Sequence, residues 1–416
     1  MRFVADFHIH SKYSRATSRD MDLEVLDKWA KIKGIEVLGT GDFTHPEWFE
    51  NLKEKLAPAE PGLFQLKNGN SKTRFILTTE ISCIYSKYNR VRKIHLIIFA
   101  PSFETADKIN AHLSWIGNLK SDGRPILGLD AKELVKIVLA ISQDCLIVPA
   151  HLMTPWFSLF GSRSGFDSLE ECFEEYAKYI YAGETGLSAD PAMLWRMPDG
   201  RKIALISNSD SHSPSKIGRE ANVFDLPFLS YSSIVTAIKT KDPQNFLYTL
   251  EFFPQEGKYH YDGHRSCSIV LSPTESNKYN QICPVCGRPL TIGVMNRVEQ
   301  LADKPEGFKP QNAIPFKSLI PLEEIIAESL GMTVGTKPVG AEYRNLIKKF
   351  GDEFKVLLEA DRKELESVSP SEVAEGIIRV REGRVLIEPG YDGVYGKIRV
   401  FSQGEQKSLS RQGTLL

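Results

Sequence analysis

The sequence has no long hydrophobic run. None of its apolar stretches approaches the roughly 18 residues that a membrane span requires. It has no excess of charge of one sign either. With 52 basic and 53 acidic residues the net charge is −1, so no global field draws in nucleic acid, and only a local basic face can do so. The first ten residues carry Asp6 early and lack an apolar core, so no secretory leader is expected. Internal repeats and low-complexity tracts are absent. Cysteine is sparse, with six in all, and Cys83, Cys145 and Cys172 are scattered through apolar or helical text as buried small hydrophobes. A soluble cytoplasmic protein with no membrane contact fits these absences.

What is present is ordinary in amount and ordered in pattern. The chain has 416 residues, 42% of them hydrophobic and 25% charged, enough for a large core and more than one domain. From residue 1 to about 250, short β-branched runs alternate with polar loops and amphipathic stretches. Strands are expected at 2–7, 35–38, 74–78, 93–98, 145–148, 179–181 and 202–206. Between the first two, Leu23, Leu26, Trp29 and Ile32 follow helical spacing, with Asp22 as N-cap and Gly34 as stop. Such alternation predicts an α/β fold with a parallel sheet, and seven units favour a barrel over an open sheet. Three regions are expected: the barrel at 1–250, a zinc-binding element at 251–300, and a helical C-terminal domain at 301–416. The last carries helices near 319–330, 343–357 and 369–378, ends in a β-hairpin at 385–400, and has a polar tail after Ser402.

Metal-competent side chains recur at the C-terminal ends of the expected strands. His8 and His10 end the first, Asp42 follows the second with His45 beyond it, and Glu80 follows the third. His95 sits within the fourth. His151, Glu184, and Asp210 with His212 follow the fifth, sixth and seventh. That edge is where a parallel barrel builds its active site. Strand side chains alternate, so a His-x-His pair puts both rings on one face, and Asp210-Ser211-His212 repeats the geometry with a carboxylate. Mixed N and O donors suit Zn²⁺, Mn²⁺ or Fe, and a carboxylate such as Glu80 can bridge two ions that activate water for phosphoryl displacement.

Phe7-His8-Ile9-His10-Ser11, Thr40-Gly41-Asp42, Thr79-Glu80, Pro149-Ala150-His151 and Asp210-Ser211-His212 together resemble the motifs of the polymerase and histidinol phosphatase (PHP) superfamily. The resemblance covers roughly residues 1–250. It implies a distorted seven-stranded α/β barrel, a site that is usually trinuclear, and His8, His10, Glu80, His95, His151, Asp210 and His212 as metal ligands. Asp42 stands where that superfamily usually has a histidine, and either it or His45 is the expected additional ligand. Zn²⁺ is the expected active-site ion, with Mg²⁺ or Mn²⁺ as alternatives.

A second cluster combines His264-x₂-Cys267 with Cys283-Pro284-Val285-Cys286-Gly287. This spacing fits a structural zinc knuckle with one histidine among its ligands, His260 being the rival fourth ligand. The loop after His151 is aromatic and glycine-hinged. Its Phe160 or Trp156 is a candidate wedge into a duplex, with Arg163 on a phosphate. Lys258 to Arg265 mixes cations and aromatic rings in a way that suits nucleic acid. Asp190 is read as a general acid or base, or as a helix cap. Arg15 and Lys216 are read as holders of the scissile phosphate, or as ordinary surface charge.

The whole chain resembles the endonuclease Q family. The resemblance rests on the segment His10 to Ser18, on Gly183-Glu184-Thr185-Gly186-Leu187-Ser188, on Asp210-Ser211-His212-Ser213-Pro214, on Lys258 to Arg265, and on Glu388-Pro389-Gly390-Tyr391-Asp392-Gly393. It implies a DNA repair endonuclease that cuts on the 5′ side of deaminated bases (uracil, hypoxanthine, xanthine) and abasic sites, with replication or repair proteins as partners. The rival expectations are a small-molecule phosphomonoesterase and a non-catalytic nucleic-acid binding subunit.

Overall fold

Strands Arg2–Asp6, Val37–Gly39 and Arg74–Lys87 lie side by side and parallel. The structure is a computed structural model and describes residues 1–67, 72–402 and 404–405. The polar tail beyond residue 405 lies outside the described residues. Helix Leu23–Lys33 connects the first two strands. Its start is fixed by Asp22, whose side chain accepts the N–H of Val25, and its end by Gly34 at φ 87°.

The parallel pattern breaks after Arg74–Lys87. Tyr88 and Asn89 both adopt positive φ and turn the chain back, so Arg90–Ala100 returns antiparallel along the same strand. The strand expected at 93–98 is therefore the second arm of a hairpin, not a separate βα unit. Leu146–Pro149 pairs antiparallel with that arm. On the far side, Ala221–Asp225 and Phe246–Glu251 extend the sheet antiparallel from Arg2–Asp6, and Phe316–Ser318 adds to its edge. The strand expected at 179–181 starts later, as Ala182–Glu184, and pairs in parallel with Ala204–Ile206. These two strands form their own ladder. Single hydrogen bonds span the gaps around them, Leu152 N to Glu184 O and His10 N to Ser211 O, both 2.9 Å. The α/β fold is thus a distorted barrel whose sheet is not closed by continuous pairing.

Five phenylalanines plug its interior. Phe3, Phe7, Phe99, Phe224 and Phe246 are buried together with Ile97, Val148 and Ile206, and their rings pack at centroid distances from 4.7 to 6.1 Å. Each buried ring contributes on the order of 2 kcal/mol of apolar transfer. Phe7 and Ile9 belong to the buried hydrophobic cores. His8 and His10, alternating with them, turn to the opposite face.

The C-terminal region is helical. Helices Leu322–Ser329, Lys337–Phe350, Glu353–Leu358 and Ser371–Arg381 bury Leu322, Ile325, Leu346, Val356 and Ile377. One helix expected over 343–357 is divided at Gly351, whose φ of 101° only glycine adopts readily. Lys33 of the barrel and Glu353 form a buried ion pair at 2.6 Å that ties these helices to helix Leu23–Lys33. The hairpin pairs Leu386–Glu388 with Lys397–Arg399. Among the described residues no helix is long and apolar enough to cross a membrane.

Candidate metal centre

Six of the side chains singled out in the sequence meet at one end of the barrel. Ligand atoms of His8, His10, Glu80 and Asp210 lie within 4.8 Å of one another, and so do those of Glu80, His95 and His151. Glu80 belongs to both groups. Its Oε2 faces Nε2 of His8 (3.5 Å) and of His10 (3.3 Å). Its Oε1 faces Nδ1 of His95 (2.7 Å) and Nε2 of His151 (3.1 Å). The hairpin explains why His95 arrives from mid-strand: it pairs with Ser82, two residues after Glu80.

The donor set fits cations. Nε2 of His8, Nε2 of His10 and Oδ1 of Asp210 converge without a well-aligned hydrogen bond, His10 Nε2 standing 3.1 Å from Asp210 Oδ1, an arrangement of lone pairs that suits a bound ion. The local field asks for positive charge. Burial opposes a charge on His8, yet Glu184, Glu80 and Asp210 outweigh it and raise the ring well above its ordinary value. His10 is raised likewise, against burial, by Asp42, Asp210 and Glu80. Burial instead wins at His95 and takes it down to about 4. Backbone geometry is also unusual here. His151, Asp210 and Asp42 have φ of 31°, 45° and 50°, a region non-glycine residues enter at a cost and retain mostly at functional sites.

A second layer of groups orients the rings. Glu184 Oε1 lies 3.0 Å from His8 Nδ1, and Glu184 also accepts His151 N–H (2.9 Å) and the Asn208 amide (2.9 Å). Asp42 Oδ1 lies 3.0 Å from His10 Nδ1, while its Oδ2 accepts from Ser11 N (2.6 Å), Ser11 Oγ (2.7 Å) and Ser14 Oγ (2.8 Å). Thr154 Oγ1 does the same for His151 Nδ1 at 3.1 Å. Carboxylates behind imidazoles fix the tautomer and turn the other nitrogen toward the ion.

Several expected residues stand elsewhere. Asp42 was expected as a ligand, but both its oxygens are engaged behind His10. His45 is buried, stacks on Tyr13 at 4.4 Å and joins neither group. His212 also lies outside both groups. Its Nδ1 bonds the Asp210 carbonyl at 2.9 Å, and its ring is 4.5 Å from that of His10. Asp190 caps the short helix Pro191–Leu194 by accepting from Met193 N, the capping role that was its alternative reading. Phe160 is fully buried in the core and cannot serve as a wedge, whereas Trp156 in the same loop is half-exposed and Arg163 is exposed. Arg15 pairs with Asp122 (3.2 Å) and Lys216 with Glu324 (3.2 Å). Lys258 lies over the rings of Tyr259 and Tyr395. Arg265 is exposed, with its backbone N–H held by Asp392.

Sequence reasoning missed two charged groups. Arg124 Nη1 lies 3.0 Å from Glu80 Oε2. It sits in an irregular Gly123-Arg124-Pro125 turn with no motif to mark it. Asp6 is buried beneath the site, accepts from Ser209 N and Gly218 N, and is pushed by burial up to about 6. Its proximity to His8 in the chain was the available signal.

His264, Cys267, Cys283 and Cys286 form a third group within 4.8 Å. Gly287, at φ 71°, closes the knuckle, and its N–H donates to Cys283 O at 2.9 Å. Burial opposes ionisation of Cys283, but the N–H groups of Cys286 and Val285 and the His264 ring prevail and bring the thiol down to about 6. Four converging donors of this kind suit a closed tetrahedral zinc site. His260 is not among them. It is buried and lines a cavity instead.

A family model described as the MJ0043 C-terminal domain matches residues 321–384. The uncharacterized protein MJ0043 of Methanocaldococcus jannaschii is 36% identical over 258 residues, which cover 60% of this chain and 31% of that protein. The chain thus spans less than a third of that relative's length. The uncharacterized protein YqxK of Bacillus subtilis is 29% identical over 414 residues, 96% of this chain and 99% of that protein. The crystal structure of the lesion-specific endonuclease PfuEndoQ from Pyrococcus furiosus matches with a TM-score of 0.86 and 31% identity, covering 98% of this chain and 99% of that one. A complex of endonuclease Q with a 27-mer duplex carrying an abasic lesion at the active site matches at 0.84 and 31%, covering 98% of each chain.

Proposed function

The chain belongs to the endonuclease Q family, and on that footing we propose that it is a metal-dependent DNA endonuclease that cuts the phosphodiester 5′ to deaminated bases and abasic sites. The observation that carries this reading is the double use of Glu80, whose two oxygens serve two separate donor groups. The two groups would hold divalent ions, which when bound would supply charge stabilisation for phosphoryl displacement and lower the pKa of water.

The chain's own contribution is positional. His8, His10, Glu80 and Asp210 offer one set of donors, and Glu80, His95 and His151 the other. Glu184, Asp42 and Thr154 hold the rings of His8, His10 and His151. In the reaction an oxygen of water bonds to phosphorus while one ester P–O bond breaks, and the leaving alkoxide takes up a proton. Zn²⁺ suits the imidazole-rich set, and Mn²⁺ or Mg²⁺ can use its carboxylates. The His264, Cys267, Cys283 and Cys286 group would hold a structural Zn²⁺.

For the substrate we look to a cavity of about 420 Å³ between barrel, zinc element and C-terminal hairpin, lined by Arg219, Phe252, Lys258, Tyr259 and Tyr395 among others. Its aromatic and cationic walls suit a base turned out of the duplex. Arg219 also bonds the carbonyl of Ser209, beside Asp210, which links the cavity to the metal centre. Trp156 and Arg163 are the candidates to contact the duplex beside it.

The test incubates labelled duplexes bearing uracil, hypoxanthine, an abasic site or no lesion with Mg²⁺, Mn²⁺ or Zn²⁺. Nicking that requires the lesion and falls on its 5′ side supports the proposal. Cleavage of none by metal-loaded protein sinks it, and fast turnover of a phosphate monoester without DNA binding points to a phosphatase.

A further inference from the structure

Arg124 is a cation whose guanidinium enters a cluster of cation-binding side chains. Nη1 lies 3.0 Å from Glu80 Oε2, the oxygen that also faces His8 and His10, and the side chain keeps 27% of its surface open to solvent. The turn that carries it is built to hold it there. Asp122 Oδ1 accepts the backbone N–H of Arg124 (3.2 Å) and of Arg15 (3.3 Å), and its Oδ2 pairs with Arg15 Nε (3.2 Å). Between them, Gly123 presses so closely on Asp42 and Ser14 that a Cβ there would collide with both side chains. Its N–H donates to Tyr13 O at 3.1 Å. One short turn is thus keyed into the loops that carry His10 and Asp42. The turn carries the Arg124 guanidinium into the cluster, and through Asp122 it holds Arg15 of the His10 loop, whose side chain is three-quarters exposed.

A purely structural role explains this poorly. A fixed cation beside a carboxylate that must hold cations weakens metal binding by like-charge repulsion. The arrangement makes sense when an anion joins the site. The planar fork of arginine matches the oxygens of a phosphate, and a preformed donor aimed at developing negative charge lowers the barrier. We propose that Arg124 contacts a non-bridging oxygen of the scissile phosphate, with Asp122 as its positioning residue and Arg15 on a neighbouring phosphate. This rests on the nuclease reading above.

The test compares wild type with Arg124→Gln, Arg124→Lys and Asp122→Asn on a lesion duplex in Mn²⁺. The duplexes carry either a normal scissile phosphate or one of its two phosphorothioate diastereomers. Wild type must nick the normal duplex. If it does not, the nuclease reading has failed, and the role of Arg124 falls only as its dependent. Arg124→Gln is expected to lower kcat by about 10²- to 10³-fold, the size seen when a preformed donor to a developing charge is removed. Bound metal, read by elemental analysis, should hold. Arg124→Lys should recover part of the rate, and Asp122→Asn should lose less than Arg124→Gln. Wild type should discriminate between the diastereomers, and Arg124→Gln should lose that discrimination. Three results overturn the proposal: a wild-type rate in Arg124→Gln, a rate loss that merely follows lost metal in both Arg124 variants, or unchanged diastereomer preference.

Discussion

Oε1 of Glu184 lies 3.0 Å from Nδ1 of His8, and neither side chain is open to solvent. The carboxylate also accepts the backbone N–H of His151, so it orients the His8 ring and anchors the main chain of His151, one residue from each donor group. Glu184→Gln keeps the shape and removes the charge. Metal affinity or activity should fall by about 10- to 100-fold, as for other second-layer partners of metal-bound histidine, with little change in melting temperature. Metal titration alongside thermal unfolding separates the two.

The buried pair Lys33 and Glu353 makes a pH prediction. Burial works against the Glu353 charge, but Lys33, the Tyr343 hydroxyl and Leu322 N–H prevail and lower its pKa. A carboxyl with a depressed folded-state pKa adds stability that is fully present above its unfolded pKa. That stability is lost as pH falls through the folded value. Wild type should therefore lose stability on acidification below the ordinary carboxylate range. Lys33→Met leaves the carboxylate buried without its cation and should cost about 3–5 kcal/mol near neutral pH. Urea unfolding of the single variant and of Lys33→Met with Glu353→Leu checks this, because the double variant should recover most of the loss.

The loop after His151 separates packing from contact. Phe160 is fully buried, and Phe160→Ala should cost about 3–5 kcal/mol of stability. Trp156 is 51% exposed, and Trp156→Ala should leave unfolding nearly unchanged while weakening binding to a lesion duplex. Parallel unfolding and fluorescence-anisotropy measurements read both. Equal effects at the two positions would contradict the assignment.

The contrast between these residues also shows what sequence makes legible. His8 and His10 are readable because strand alternation puts both on one face, and Cys283 to Gly287 because a knuckle needs that spacing. Phe160 and Trp156 share one loop and similar chemistry, and only packing tells them apart. Asp42 follows a strand as a ligand does, yet its place behind His10 depends on Ser11 and Ser14 drawing its second oxygen away. The hairpin through Tyr88 and Asn89 escaped the reading because neither residue is glycine, although both adopt positive φ. Arg124 reaches Glu80 from a turn 44 residues away in the chain, a distance that no local period encodes.

The zinc element should depend on its metal more than the barrel does. Cys283→Ser should remove one equivalent of Zn²⁺ and open residues 260–295 to protease, because a small segment with a four-donor site draws its folding energy from the ion. Far-UV circular dichroism of the barrel should persist, since none of the four donors belongs to the core around the phenylalanine plug. Limited proteolysis with mass mapping reads the outcome.

The double use of Glu80 is tested most directly by anomalous diffraction from crystals grown with Mn²⁺. The account predicts peaks on both sides of the Glu80 carboxylate, separated by about 3.5–4 Å as in other two-ion phosphoryl-transfer sites, one within reach of His10 and Asp210 and the other of His95 and His151. A single peak, or none that touches Glu80, would contradict it.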